Sequence, residues 1–254
     1  MQIRAFKTEL KEIQTFRTLF LQENNFQIRY NACHERNWSD SYFLTVDDVS
    51  IGYGSVKGKE KITDRDAIFE FFIIPPYRKI SNAVFSALLK ASGAVCIECQ
   101  SNNLQLSSLL FQFSQSTHSD VVLFEDKVMT EHRLPGIIFR PHKKDDTIFK
   151  HTVEPEGEYV LEKSGEIVAT GGWMLHYNMP FADLYMEVKE DCRRMGLGSF
   201  LIQELKKECY LSGRVPAARC NIQNNASKAT LLKAGMVVSG FMLTGVIRDA
   251  AGKS

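Results

Sequence analysis

Residues 193–201 read RRMGLGSFL: two arginines, then two glycines one residue apart, then a run of apolar side chains. Upstream, ADLYMEV at 182–188 alternates, with Leu184, Met186 and Val188 on one side and Tyr185 and Glu187 on the other, which predicts a strand. Downstream, Leu197, Leu201, Leu205 and Cys209 recur at every fourth position opposite Gln203, Glu204, Lys206 and Lys207, which predicts an amphipathic helix. The unit is strand, basic glycine turn, helix. A helix start has free N–H groups and partial positive charge, and glycines let an anion approach the backbone, so the turn suits a phosphate, with Arg193 and Arg194 adding charge. A dinucleotide fingerprint needs a third glycine at 201, where Leu201 stands.

Composition sets the frame. The 254 residues suit one large domain or two ordinary ones, and 31 Lys and Arg against 30 Asp and Glu leave a net charge of +1. That balance argues against a nucleic-acid or membrane surface, and no stretch reads as a signal peptide or a membrane span. A soluble, cytoplasmic chain with six reduced cysteines is expected. Cys96 and Cys99 fall three apart in a strand pattern and so point to opposite faces, and the histidines lack chelating spacing; no metal site is expected.

Arg193, Gly196 and Gly198, in R-x-x-G-x-G between strand and helix, resemble the acetyl-coenzyme-A loop of the GNAT superfamily of N-acetyltransferases. Two further stretches strengthen the resemblance. EYVLEKSGEIVATGGWML reads as a hairpin turning at Ser164 and Gly165. AARCNIQNNASKATLLKAGM reads as a strand, a short helix opened by Asn224 and Asn225, and a stop at Gly235. The resemblance spans about residues 155–247.

The first half reads like the second written again. YFLTVDDVSIGYGSV from Tyr42 matches YVLEKSGEIVATGGWM from Tyr159; Arg78 falls over Arg193 and Phe85 over Phe200 at an offset of 115, and Asn102 falls over Asn224 and Leu109 over Leu231 at 122. The expected fold is α/β (α+β): two GNAT-like domains, each a mixed, mostly antiparallel twisted sheet flanked by helices. The expected boundaries are 1–140 for a degenerate domain and 141–254 for the cofactor domain. Ser81 and Ala83 replace Gly196 and Gly198 in the first half, and Pro75 and Pro76 stiffen its turn, so no productive cofactor site is expected there. Residues 1–40, with the helical pattern ELKEIQTFRTLFLQENN, supply the helices with which the family shapes its acceptor pocket. The second half offers only short strand-like pieces, PGIIFRP and TIFKHTV, in that place, so the degenerate half is expected to furnish part of the acceptor wall.

The resemblance implies acetyl-CoA as co-substrate, held by Met186, Val188, Arg193, Arg194, Met195, Gly196, Leu197, Gly198, Ser199 and Asn225. It implies direct attack by a small-molecule or peptide amine, which needs a base; Glu187 is the candidate, against a solvated strand-end glutamate. The family's acid is often a tyrosine at the position of Leu231, so Tyr185 is the substitute candidate, against a packing role. Trp173, His176 and Tyr177 stand near the acceptor side or in the core; Cys192 and Cys220 read as packing. Two other readings stay open: a non-catalytic acyl-CoA sensor or scaffold on the same fold, and an unrelated anion-binding α/β protein. Two repeats in one chain allow a monomeric pseudo-dimer or a homodimer.

Overall fold

A computed structural model describes residues 1–24, 26, 31–152 and 155–248. These form two compact units: unit 1 from the described residues of Met1–Phe26, Tyr30–Asp120 and Gly240–Ser254, and unit 2 from those of Val121–Ser239.

Unit 1 contains β1 (Ile3–Thr8), α1 (Leu10–Glu23), α2 (Asn31–Glu35), β2 (Ser39–Val46), β3 (Val49–Lys57), β4 (Ala67–Ile73), α3 (Ser81–Ser92), β5 (Cys96–Gln100) and α4 (Leu104–Phe113). The chain leaves it through β6 (Ser114–Asp126), whose residues from Val121 on belong to unit 2. Unit 2 continues with β7 (Ile137–Pro141), β8 (Tyr159–Lys163), β9 (Glu166–Met174), β10 (Phe181–Val188), α5 (Leu197–Leu211), β11 (Val215–Asn221) and α6 (Asn225–Lys233). The last strand, β12 (Met236–Ile247), gives its residues from Gly240 on to unit 1.

The two units use one plan. In unit 1 the order is β1-β2-β3-β4-β5-β12, and in unit 2 it is β7-β8-β9-β10-β11-β6. Each sheet is antiparallel except at one internal pair, β4 with β5 and β10 with β11, which run parallel. The hairpins β2–β3 and β8–β9 turn on two consecutive left-handed residues, Asp47 and Asp48 in one and Ser164 and Gly165 in the other, the geometry that matches strand twist in a tight hairpin. Each hairpin also carries a bulge, at Leu44/Thr45 and at Leu161/Glu162. These are the mixed, mostly antiparallel helix-flanked sheets that the resemblance implies.

Apolar periodicity packs each unit. On α5, Leu197, Leu201, Ile202, Leu205 and Cys209 are buried against Leu184, Val168 and Ala218 of the sheet; each such aliphatic side chain contributes about 1.5–3 kcal/mol. On α3, Val84, Phe85 and Leu88 do the same in unit 1. Between β6 and β8 the described residues of unit 2 hold no helix. The stretch from 147, read as strand-like in sequence, forms no strand through Thr152, and its last residue, Val153, lies outside the described residues. The Thr152 amide goes to the Glu187 carboxylate of β10 rather than to a neighbouring strand, so the end of this stretch joins no ladder; the rings of Phe149 and His151, two residues apart, stack at 4.9 Å.

Unit 1 has a charged group at its centre. Glu70, on β4, accepts from Arg17 Nε and a terminal guanidinium nitrogen at 3.2 Å each, from Tyr53 Oη at 2.9 Å, and meets His34 Nε2 at 3.0 Å. Burial alone would raise its carboxyl, but Arg17 and the hydrogen-bonded His34 beside it outweigh that and hold it well below the usual carboxylate range. Removing one partner of such a buried pair strands the other charge, so Arg17→Met is expected to cost about 3–5 kcal/mol in denaturant unfolding. Because the folded carboxyl titrates below its ordinary value of 4.5, its stabilisation is complete above that pH and lost as pH falls. Glu70→Gln should therefore flatten the acid limb of a stability-versus-pH curve.

Candidate functional site

The site begins where two strands part. Along β10, pairing with β9 runs without interruption from Asp183↔Met174 to Val188↔Ala169, but the parallel pairing with β11 extends only from Phe181↔Val215 to Asp183↔Ala217. Past Asp183 the β11 side of β10 opens into a cleft of about 670 Å³ whose other walls are the glycine turn and α6.

The turn is shaped by backbone conformation. Arg194 and Gly196 both adopt left-handed φ, at 64° and 80°, which successive L side chains resist and a glycine accepts. Gly196 is the N-cap of α5 and brings no side chain to cap it, so the leading amides of the helix are left for a ligand. At Gly198 a Cβ would meet Thr230 Cγ2 at 3.0 Å and Met186 Cε at 3.2 Å across the cleft. Arg193 folds back, its Nε donating to the Val188 carbonyl at 3.3 Å.

Of the residues singled out in sequence, Met186, Glu187 and Val188 line the cleft from the strand, and Arg193, Arg194, Gly196, Leu197, Gly198 and Ser199 from the turn and α5. Three stand elsewhere. Met195 projects half-exposed from the turn. Asn225 is the exposed first residue of α6, whereas its neighbour Asn224 lines the cleft and caps the helix, accepting from Ser227 N at 3.0 Å. Tyr185 shares Glu187's face but donates to the Glu156 carbonyl at 3.4 Å; burial, with the charge of Glu158, raises its phenol above the ordinary value. Leu231 is buried in the core of unit 2.

Glu187 is enclosed rather than solvated. Its carboxylate accepts the Thr152 amide at 3.1 Å to each oxygen and the Thr152 hydroxyl at 2.7 Å, and lies 3.4 Å from His151 Nδ1. The other ring nitrogen of His151 is 2.8 Å from Thr170 Oγ1, on the residue that pairs with Glu187 across β9. Sequence reading missed His151 and Thr152, which lie 35 or more residues upstream of Glu187 in a stretch without periodicity. It also missed Ala226, Ser227 and Thr230 of α6, whose small side chains leave room for a ligand and carry no motif.

Other candidates fall outside the cleft. Trp173 stacks on Tyr159, and His176 and Tyr177 gather at Asp183, with His176 Nε2 3.1 Å from its carboxylate. Burial and that carboxylate push the Tyr177 phenol well up. Cys96 and Cys99 are buried free thiols of β5, the latter pushed up to about 12 by burial. Among the described residues no three His, Cys, Asp or Glu gather as a metal site.

Unit 1 keeps a smaller cavity of about 400 Å³ at the same place, with Arg78, Asn103 and Gln105 in its wall. Arg78 Nε donates to the Ile73 carbonyl at 3.1 Å, as Arg193 does to Val188. Asn103 caps α4 by accepting from Leu106 N, as Asn224 caps α6. The caps put Asn103, not Asn102, over Asn224, one residue from the register read in sequence; a run of two asparagines leaves that choice to the backbone. In this register Gln105 corresponds to Ala226, and its carboxamide both accepts from Ile73 N and donates to Ile73 O, at 3.3 Å each.

Comparison with known proteins follows this geometry. Residues 125–236 match the acetyltransferase (GNAT) family. No curated protein matches the sequence. Among solved structures, a GNAT-family acetyltransferase from Colwellia psychrerythraea is similar with a TM-score of 0.74 at 12% identity, covering 98% of this chain and 100% of that one. A GCN5-related N-acetyltransferase from Sphaerobacter thermophilus gives 0.58 at 12% identity over 97% and 96%. A tandem GNAT protein from the clavulanic acid biosynthesis pathway gives 0.58 at 9% identity over 96% and 98%. At these identities the structures share the fold.

The enclosure of Glu187 predicts a measurable change. Hydrogen bonds to a charged acceptor are worth about 1–1.5 kcal/mol more than neutral ones, so Glu187→Gln should speed hydrogen exchange of the Thr152 amide about tenfold, with amides of α5 unchanged.

Proposed function

From the match of residues 125–236 to the acetyltransferase (GNAT) family, we propose that the chain is an acyltransferase that transfers an acetyl group from acetyl-CoA to the primary amine of a small molecule or peptide, using the cleft of unit 2. The observation that carries this reading is the parting of β10 from β11 at Asp183 beside an uncapped helix start. The residues fit the cofactor: the amides of Leu197, Gly198 and Ser199, with Arg193 and Arg194, suit a pyrophosphate, and the space beside Gly198 is what a side chain there would fill. The edge of β10 at Met186 and Val188 suits the amides of an extended pantetheine arm. When bound, acetyl-CoA supplies an activated acetyl thioester.

The protein's own groups then manage protons. Glu187 is the proposed base, its carboxylate oriented by Thr152 and His151 so that it takes a proton from the incoming amine. Tyr185, the donor that the sequence suggested, lies outside the cleft and gives its hydroxyl to the Glu156 carbonyl, so the leaving thiolate is proposed to depart without a side-chain acid. Unit 1 is assigned no cofactor site: besides Ser81 and Ala83 in its turn, Gln105 takes the main-chain hydrogen bonds of Ile73 that a cofactor would use.

Calorimetric titration tests the assignment. Acetyl-CoA is expected to bind the wild type, with ADP weaker. Gly198→Glu should abolish binding by filling the cleft, and Ala226→Gln, importing the side chain of unit 1, should weaken it at least about tenfold, or 1.4 kcal/mol. Ala83→Glu should leave it unchanged; equal losses at Ala83 and Gly198, or equal affinity for ADP, would overturn the reading.

A further inference from the structure

The charged centre of unit 1 does not end in the core. Arg17 and Tyr53 already supply Glu70 with the donors that a buried carboxylate needs, yet a histidine and a serine extend the chain of contacts outward. His34 Nε2 lies 3.0 Å from Glu70 Oε2, and His34 Nδ1 lies 3.1 Å from Ser39 Oγ. The imidazole is buried, its ring 5.3 Å from that of Phe69. Both His34 and Ser39 form part of the wall of a cavity of about 440 Å³ in unit 1.

The order of contacts sets the proton positions. In the neutral imidazole, the ring nitrogen facing the Glu70 carboxylate carries the hydrogen, and the nitrogen facing Ser39 is left to accept the hydroxyl proton. The same three roles of nucleophile, base and orienting acid occur in serine acyl enzymes, here with the two ring nitrogens exchanged, Nδ1 on the serine and Nε2 on the carboxylate. We propose that Ser39, His34 and Glu70 form a second reactive centre that cleaves small acyl esters.

The rest of the wall suits a polar substrate. Thr8, Asn37 and Ser41 offer hydroxyl and amide groups, and Lys7 and Arg65 lie 2.7 and 3.4 Å from the Asp40 carboxylate on the same wall. The cavity volume admits a short acyl chain on a hydroxylated alcohol. In the first step Ser39 Oγ bonds to the acyl carbon while its proton passes to His34 Nδ1. The C–O bond to the alcohol then breaks, and the departing oxygen takes that proton, leaving acyl-Ser39. Water, giving a proton to His34, attacks the same carbon, and Ser39 leaves with that proton as a free hydroxyl beside the carboxylic acid.

The test treats the full chain with a fluorophosphonate probe and, separately, with p-nitrophenyl acetate. One adduct, mapped to Ser39, is expected. Ser39→Ala, a change too small to disturb the fold and checked by an unchanged melting curve, should remove both the adduct and the hydrolysis. His34→Asn should slow labelling about 10²–10⁴-fold, the usual contribution of a general base. A wild type that takes no adduct, an adduct on another residue, or ester hydrolysis that survives Ser39→Ala would each overturn the proposal, because a purely structural pin predicts an inert serine.

Discussion

Two parallel strands that pair briefly and then part are the constraint on which this structure turns. In unit 2 the parallel pairing of β10 with β11 stops at Asp183, and in unit 1 that of β4 with β5 covers Ala67 and Ile68. Parallel neighbours require a crossover, supplied by α5 and α3, and the turn leading into that crossover lies at the end of the opening. A strand edge, a helix start and a glycine turn are thereby brought to one place. Opening a sheet exposes peptide groups that must find partners, so such a cleft is a binding site unless the protein fills it.

The two units resolve that requirement in opposite ways. In unit 1 the carboxamide of Gln105 satisfies both the N–H and the C=O of Ile73, and Arg78, which holds the same carbonyl, also pairs with Glu23. In unit 2 the corresponding side chain is the methyl of Ala226, and the space remains open. The replacement of glycines by Ser81 and Ala83 is therefore one of two changes; the other lies on the facing helix. Each unit also encloses a carboxylate on its central strands, Glu70 among Arg17, His34 and Tyr53, and Glu187 against Thr152 and His151. Both histidines lie before the strands they reach, at distances in sequence that no local pattern bridges.

Much of the fold was legible because it rests on periodicity and turn chemistry. The alternation at 182–188, the four-residue recurrence from Leu197 and the turn at Ser164 and Gly165 each correspond to one observed element. Repetition was legible for the same reason, through Arg78 with Arg193 and Phe85 with Phe200. The register at the second motif was less so: in NN at 102–103 and at 224–225, either asparagine suits a cap, and only the backbone shows that Asn103 and Asn224 take the role. The strand pattern from 147 misled because a strand needs an edge to pair with, and the Thr152 amide is taken by the Glu187 carboxylate instead.

By itself, the sequence determined the local elements, their duplication and the identity of the glycine turn, since each depends on residues close together in the chain. The tertiary structure decided which strand completes each sheet: unit 1 takes the end of β12 beside β5, and unit 2 takes the end of β6 beside β11. It decided that Asn224 rather than Asn225 faces the cleft, that Thr152 encloses Glu187, and that Ser39 meets His34. The physical reason is common to all of these. Strand partners and side-chain contacts between distant segments are fixed by burial and by hydrogen-bond satisfaction over the whole unit, and no local period encodes them.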